Sequence, residues 1–465
     1  MTHIMKSIIK KTALSLIFAS CAGGAMAQSL NAGYFLDGYT YRHELNPAYM
    51  GDSYFSMPVL GNTNVSLRGN MGLENFLYRT DRYGLTTFLN PDVSANEFLG
   101  DLNDNNKLNL NLNMAIFSMG FKAFGGYNTI GLNMRVNAGV NMPYDFFDFA
   151  KRGMHSENTQ YSMDDLSVRS RAYVELGLGH SHQINHNLTV GAKLKFLVGG
   201  ADLDATIEDM SVNMSQDQWL VRAHAKVNTS MKGAFYTLDE DGLVDGIDVE
   251  SPGVGGFGLG IDLGATYKFT EGALKGLTLS AAVLDLGFIN WSDNVVAYNQ
   301  GEDFFFKGFH NIAIESDGSG RELEDQFDDL QDDLEKLYNV KTDGEVGSRS
   351  TMLAATMNIG AEYALPAYDK LKFGLLSSTQ FNGPFTWTEA RLSANVNPTN
   401  WFGASASYAY STFGSSFGLL VNFHPKGFNF FIGTDCMLGE VNSQFIPMNS
   451  NANVSFGFNF ILGKN

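Results

Sequence analysis

Apolar and polar residues alternate with period two along most of the chain. In 452–462, Val454, Phe456, Phe458, Phe460 and Leu462 share one face, and Ser455, Gly457 and Asn459 the other. Over 257–269, Phe257, Leu259, Ile261, Leu263 and Tyr267 alternate with Gly258, Gly260, Asp262, Gly264 and Lys268. Leu108, Leu110, Leu112 and Met114 alternate with Asn109, Asn111 and Asn113, and 402–410 and 427–437 behave alike. A strand places the two sets on opposite faces by geometry alone. The runs exceed the usual globular strand of about 5–6 residues. Their apolar faces carry aromatics near the ends (Phe269, Tyr408, Tyr410, Phe423, Phe428), where a membrane barrel puts its girdles. The pattern predicts an all-β fold, a transmembrane antiparallel β-barrel, over a secreted sandwich or propeller.

Strands are expected near 63–70, 108–120, 129–142, 167–182, 188–200, 257–269, 276–286, 350–363, 370–379, 388–396, 401–410, 415–423, 427–437 and 452–462. That makes fourteen. A further pair, near 203–213 and 217–236, either extends the wall to sixteen or stands as a hairpin in an outer loop. Short turns (123–128, 183–187, 270–275, 364–369, 397–400, 424–427) alternate with longer connections, and both chain ends fall on the short-turn side. This is the parity of a single-chain outer-membrane barrel with its short turns in the periplasm.

Two segments do not read as wall. Residues 28–62 precede the first strong strand, carry many Tyr and Phe, and turn at Leu45-Asn46-Pro47-Ala48. Their aromatic content opposes a disordered tail, and they are expected to form a plug inside the barrel of 63–465. Lumen-facing Gly, Asn and Ser leave room for it. Residues 320–339 read as an amphipathic helix, with Leu323, Phe327, Leu330, Leu334 and Leu337 on one stripe. Between Arg321 and Leu337 stand eight acids and two bases. Parity puts this helix outside the cell, as a lid, a docking surface or packing on the loop crown.

Composition narrows the rest. Of 465 residues only 17% are charged, with 50 Gly, 36 Phe and 10 Pro, and no apolar run long enough for a membrane helix follows the N-terminus. Lys6, Lys10 and Lys11, an apolar core from Ala13 to Ala19, and Ala25-Met26-Ala27 form an export signal over 1–27. Phe18-Ala19-Ser20-Cys21 is a poorer lipoprotein match. A net charge of −18 excludes a nucleic-acid footprint, and cleavage leaves only Cys436, so no internal disulfide forms.

Chemistry is sparse. His180, His182 and His186 cluster without a Cys or carboxylate, and rim placement explains them more simply than a metal. The acidic loop from Asp239 to Asp248 departs from calcium-loop spacing. Neither a serine elbow, a phosphate loop nor a zinc-protease helix stands in a supporting context. Ser181 and its neighbour His180 face opposite sides of a strand, so no enzyme and no cofactor is expected. Arg135, Arg169, Arg171, Lys193, Lys195 and Asp262 are expected in the lumen, to anchor a plug, to set ion selectivity or simply to be solvated.

The signal peptide, the turn at Asn46-Pro47-Ala48 and the strand SPGVGGFGLGIDLGATYKF resemble Bacteroidota outer-membrane proteins of unknown function, and more distantly FadL- and PorV-type barrels. That resemblance implies fourteen strands, an N-terminal hatch and large outer loops. FadL-type relatives pass hydrophobic molecules into the membrane, whereas PorV-type relatives handle secreted protein cargo. The chain departs from the usual barrel ending in carrying Gly463, Lys464 and Asn465 after its last strand. The expected function is an outer-membrane barrel that binds or transports a hydrophobic or amphipathic small molecule. The alternative is a secretion or assembly subunit with a cell-surface protein partner, and a third is a general porin.

Overall fold

A computed structural model of the protein describes residues 30–80, 84–153, 160–214, 219–240, 242–306, 340–437 and 451–462. The export signal, the helix stripe Leu323, Phe327, Leu330, Leu334 and Leu337, and the last three residues lie outside the described residues.

The wall is one closed antiparallel sheet of fourteen positions. It begins with β1, made of two collinear pieces, Ser53–Ser56 and Thr63–Gly69. Next come β2 (Asn105–Ala123), β3 (Gly126–Pro143), β4 (Gln160–Gln183) and β5 (Leu188–Met214). Position six, β6, is filled by Trp219–Met231 above and Gly256–Lys268 below. Then follow β7 (Leu277–Phe306) and β8, again in two pieces, Lys341–Met352 and Ala355–Ala364. The circle continues with β9 (Leu371–Phe381), β10 (Trp387–Thr399), β11 (Phe402–Ser411) and β12 (Gly414–Phe423). Finally β13 (Phe428–Thr434) and β14 (Ala452–Leu462) return to β1, where Ser53 pairs with Leu462 and Leu67 with Ala452.

Fourteen is therefore the count, and the pair that suggested sixteen has another explanation. Residues 203–213 continue β5 upward, and Trp219–Met231 pairs with that extension and with the upper part of β7. Below the junction, Gly256–Lys268 takes over the same slot, with Gly256 opposite Gly199. Between the two pieces of β6 lies a small hairpin, Ala234–Leu238 with Val244–Val249. The wall also starts at Ser53, ahead of the expected residue 63, because 57–62 loop out of β1 and interrupt its alternation.

Outward-facing residues of the lower wall form an apolar belt. Leu194, Phe196, Leu259, Leu263, Leu279, Ile359, Leu375, Leu392, Phe417 and Ile432 are all exposed. Such a ring is what a barrel presents to hydrocarbon. Tyr408 with Phe417 and Trp401 with Phe423 mark its aromatic edges. Among the described residues no helix is long and apolar enough to cross a membrane.

Strands β4, β5 and β7 are far longer than the roughly 9–11 residues a crossing needs. Above the belt the apolar face of β5 moves from outside to inside: Leu194 and Phe196 face out, whereas Ile207, Met210 and Val212 are buried. These join Val221, Ala223, Val295 and Ala297 in a core, together with Phe98 of a short helix (Ala95–Gly100) and Phe146, Phe147 and Phe149 of a second (Tyr144–Arg152). The barrel is thus roofed by a packed apolar crown.

Candidate functional site

Residues 30–52 run inside the wall, from mid-lumen down to the short-turn end. The segment has no long element of its own: a single turn at Asn31–Gly33, a four-residue helix at Arg42–Leu45 and the turn at Asn46. Such a chain has to satisfy its backbone on the wall. The Asn31 and Ala32 N–H groups donate to the two oxygens of Asp435 at 2.8 and 2.7 Å, and the Asn31 amide donates to Glu389 at 2.8 Å. The Tyr41 hydroxyl donates to Asn459 at 2.7 Å, and Asn358 donates to the Leu45 carbonyl at 3.0 Å.

Glycines in the wall mark where the segment presses. Gly191 of β5 and Gly264 of β6 are cross-strand partners, and together they make a dent for the Asn46-Pro47-Ala48 turn. A Cβ on Gly264 would meet Pro47 Cδ at 2.8 Å, and one on Gly191 would meet the Ala48 nitrogen at 2.6 Å. Asn46 is fully buried. Its side-chain Oδ1 accepts from the Ala48 N–H at 2.9 Å, and its side-chain amide donates to the Ala281 carbonyl of β7 at 3.2 Å. Phe35 lies in a second dent, where a Cβ on Gly374 would meet its ring at 2.6 Å and one on Gly360 at 2.9 Å.

Beside the segment lies a buried ion cluster. Lys195 reaches Asp285 at 2.5 Å, Asp262 at 2.8 Å and Glu175 at 3.7 Å. Arg135 meets Glu175 at 3.2 Å, and Lys193 meets Glu44 of the segment at 2.9 Å. Burial pushes the Glu44 carboxyl up, but Lys193, His43 and Arg135 outweigh it and hold it well below the ordinary range. His43 donates to or accepts from the Tyr54 hydroxyl at 2.8 Å, and burial is the main cause that lowers its pKa to about 4. A second cluster joins Arg68, Glu389, Arg391 and Asp435, with Arg391 3.1 Å from Glu389 and Arg68 stacked 4.1 Å above the Trp387 ring.

Between the segment and the crown is a cavity of about 380 Å³. Its floor is Asn31, Glu44 and Leu45; one side carries the asparagines at 109, 111, 113 and 137. Opposite stand Arg169 and Arg171 of β4, Asp202 and Asp204 of β5, and Arg349 of β8. Arg171 meets Asp202 at 2.6 Å, and Arg349 spans Asp202 and Asp204 at 3.1 and 2.5 Å. The lining is thus chiefly amide, hydroxyl and guanidinium, with Tyr173, Phe381, Phe385 and Trp387 as its aromatic members.

Of the lumen charges named from sequence, Arg135, Lys193, Lys195 and Asp262 come together in the lower cluster, and Arg169 and Arg171 stand in the upper one. Asn46, Pro47 and Ala48 sit in the glycine dent. Sequence reasoning missed the acids that partner these bases, Glu44, Glu175, Asp202, Asp204 and Asp285, and it missed the Arg68–Glu389–Arg391–Asp435 group. Inward parity of each acid on its strand was a usable signal. His180 and His182 stack at 5.8 Å near the short-turn rim, where His180 pairs with Asn128. Among the described residues no group of three or more His, Cys, Asp or Glu side chains is placed to hold a metal ion.

A family model covers residues 47–435. The chain belongs to DUF5723, a family of unknown function. No match was found among curated proteins. Among solved structures, the chain is similar to the Ralstonia pickettii toluene transporter TbuX, at 9% identity and a TM-score of 0.39 over 95% of each chain. It is also similar to the Pseudomonas putida toluene transporter TodX, at 12% identity and a TM-score of 0.37 over 95% of each chain.

Proposed function

We propose that this DUF5723 protein is an outer-membrane barrel that takes a small amphipathic molecule from the cell exterior into its lumen, with residues 30–52 as the plug below. The observation that carries the reading is the cavity of about 380 Å³, held between the buried segment and the apolar crown. Pockets of about 300–1,000 Å³ with convergent polar groups are the usual form of a small-molecule site. The apolar crown suits the hydrophobic part of such a ligand on its way in, and the polar chamber suits its head. An open porin role is disfavoured, because the segment fills the lower lumen with side chains such as Tyr34, Tyr41 and Leu45, all buried. Native mass spectrometry of the full chain extracted gently from its own membrane tests this. A co-purifying small molecule lost on deletion of 30–52 supports it; a ligand-free barrel that conducts salt ions like a general porin overturns it.

Protein docking through 320–339 is a separate expectation from sequence. Deleting those residues and losing a stoichiometric companion on purification is the result that supports it.

A further inference from the structure

We infer that the chamber holds an anion site built by Arg169, Arg171 and Arg349, and that it takes the carboxylate of a hydroxylated acid. The inference rests on the lumen being a ligand chamber, as proposed above, and adds the class of group bound there.

The charge balance is the first ground. Three guanidinium groups share two carboxylates, Asp202 and Asp204, so the upper cluster carries one uncompensated positive charge within a chain of net charge −18. The lower cluster does not supply this surplus: Glu44, Glu175, Asp262 and Asp285 outnumber Arg135, Lys193 and Lys195. Of the lower cluster, Glu44 and Asp285 line the chamber together with Arg135 and Lys195, so the surplus positive charge lies at the chamber's upper end.

Unused donors are the second ground. Arg171 is committed to Asp202 and to the Met352 carbonyl at 2.7 Å. Arg349 is committed to both aspartates. Arg169 hydrogen-bonds only through its Nε, 3.3 Å from Asp204; its guanidinium lies over the Phe385 ring at 6.0 Å, and its side chain remains 37% exposed within the lumen. Its two terminal nitrogens have no acceptor among the described residues. Paired guanidinium donors in one plane match a carboxylate bidentately, better than they match a neutral hydroxyl. The amides of Asn109, Asn111 and Asn113 line the facing wall and suit the hydroxyls of such an acid.

The test uses the full chain in outer-membrane vesicles with Gln380→Cys, a lining position on β9 outside the arginine cluster. Its labelling rate is compared between an anionic and a cationic methanethiosulfonate of similar size. The anionic reagent is expected to react at least severalfold faster, and R169Q is expected to bring the ratio back towards one. Glucuronate, but not glucose, is expected to protect the cysteine, with roughly 10- to 100-fold weaker protection in R169Q, the range of one lost hydrogen bond to a charged group. Octyl glucuronide protecting at much lower concentration than glucuronate assigns the acid to a lipid headgroup; equal protection assigns it to a free solute. Labelling by both reagents at equal rates, or protection by glucose as good as by glucuronate, overturns the anion site and leaves the chamber reading standing. No labelling by either reagent, with a heat-modifiable folded barrel on a gel, overturns both.

Discussion

Adding one methyl group to each of Gly191 and Gly264 should separate the stability of the wall from that of the segment inside it. The two residues face each other across β5 and β6, and the Asn46-Pro47-Ala48 turn lies in the dent between them. A Cβ at Gly264 has Pro47 Cδ at 2.8 Å, and one at Gly191 has the Ala48 nitrogen at 2.6 Å. These are atoms of a buried turn, not the free ends of flexible side chains, so the turn must move. Overpacking of this kind costs about 1–3 kcal/mol. Neither glycine uses the left-handed backbone region, so alanine suits both strands and removes some of the entropy glycine loses on folding. The double variant G191A/G264A should therefore keep or raise the wall's heat resistance while loosening the segment. At tenfold per 1.4 kcal/mol, amide exchange over 42–50 should rise roughly 10- to 100-fold. Hydrogen-exchange mass spectrometry in nanodiscs reads the segment, and heat-modifiability on a gel reads the wall. Unchanged protection of 42–50, or a wall that melts first, would refute the seat described here.

Three further outcomes follow from the same geometry. Lys195→Met leaves Asp262, Asp285 and Glu175 without their shared cation, and breaking such a buried group should cost about 3–5 kcal/mol, read as a lower unfolding midpoint in urea; an unchanged midpoint counts against the cluster. Phe35→Ala empties the dent over Gly374 and Gly360 and should cost the segment about 3–5 kcal/mol of docking, visible as faster proteolysis within 30–52 at an unchanged wall. His43 is held neutral: its pKa falls from an ordinary 6.5 to about 4 on burial. The unfolded segment binds the proton first, so this residue's contribution is intact above pH 6.5 and is lost as the pH falls towards 4, by roughly 2–3 kcal/mol. Exchange over 42–50 should accelerate across that window and do so far less in His43→Gln; pH-independent exchange sinks the assignment.

How much of this was readable beforehand depends on where register is local. The strands of the belt were legible because each keeps one face in hydrocarbon, so period two persists and each tight turn fixes the next register. The crown was not, since the apolar face of β5 crosses from outside to inside between Phe196 and Met210, and a lipid-facing pattern and a core-facing one look alike. The arginine–aspartate pairs were hidden by a single irregularity. The register of β4 and β5 shifts between Ala172 and Tyr173, so counting up from their turn would set Arg169 and Arg171 against the wrong residues. Only with that slip does Arg169 face Asp204 and Arg171 face Asp202. The seat at Asn46 was visible as a turn, but its glycine partners lie more than a hundred residues away and carry no local mark.

The junction at position six has a consequence for ancestry. Gly199 and Gly256 are cross-strand neighbours, and the Gly255 N–H donates to the Gly199 carbonyl at 2.8 Å. The chain therefore leaves the membrane hairpin at one point, builds much of the roof, and returns to the point it left. Residues 200–255 thus stand on the tip of a hairpin, and their exchange as one unit is expected to leave the membrane strands in register. Length variation among DUF5723 chains is thus expected to concentrate there, with the dent at Gly191 and Gly264 inherited unchanged beneath it.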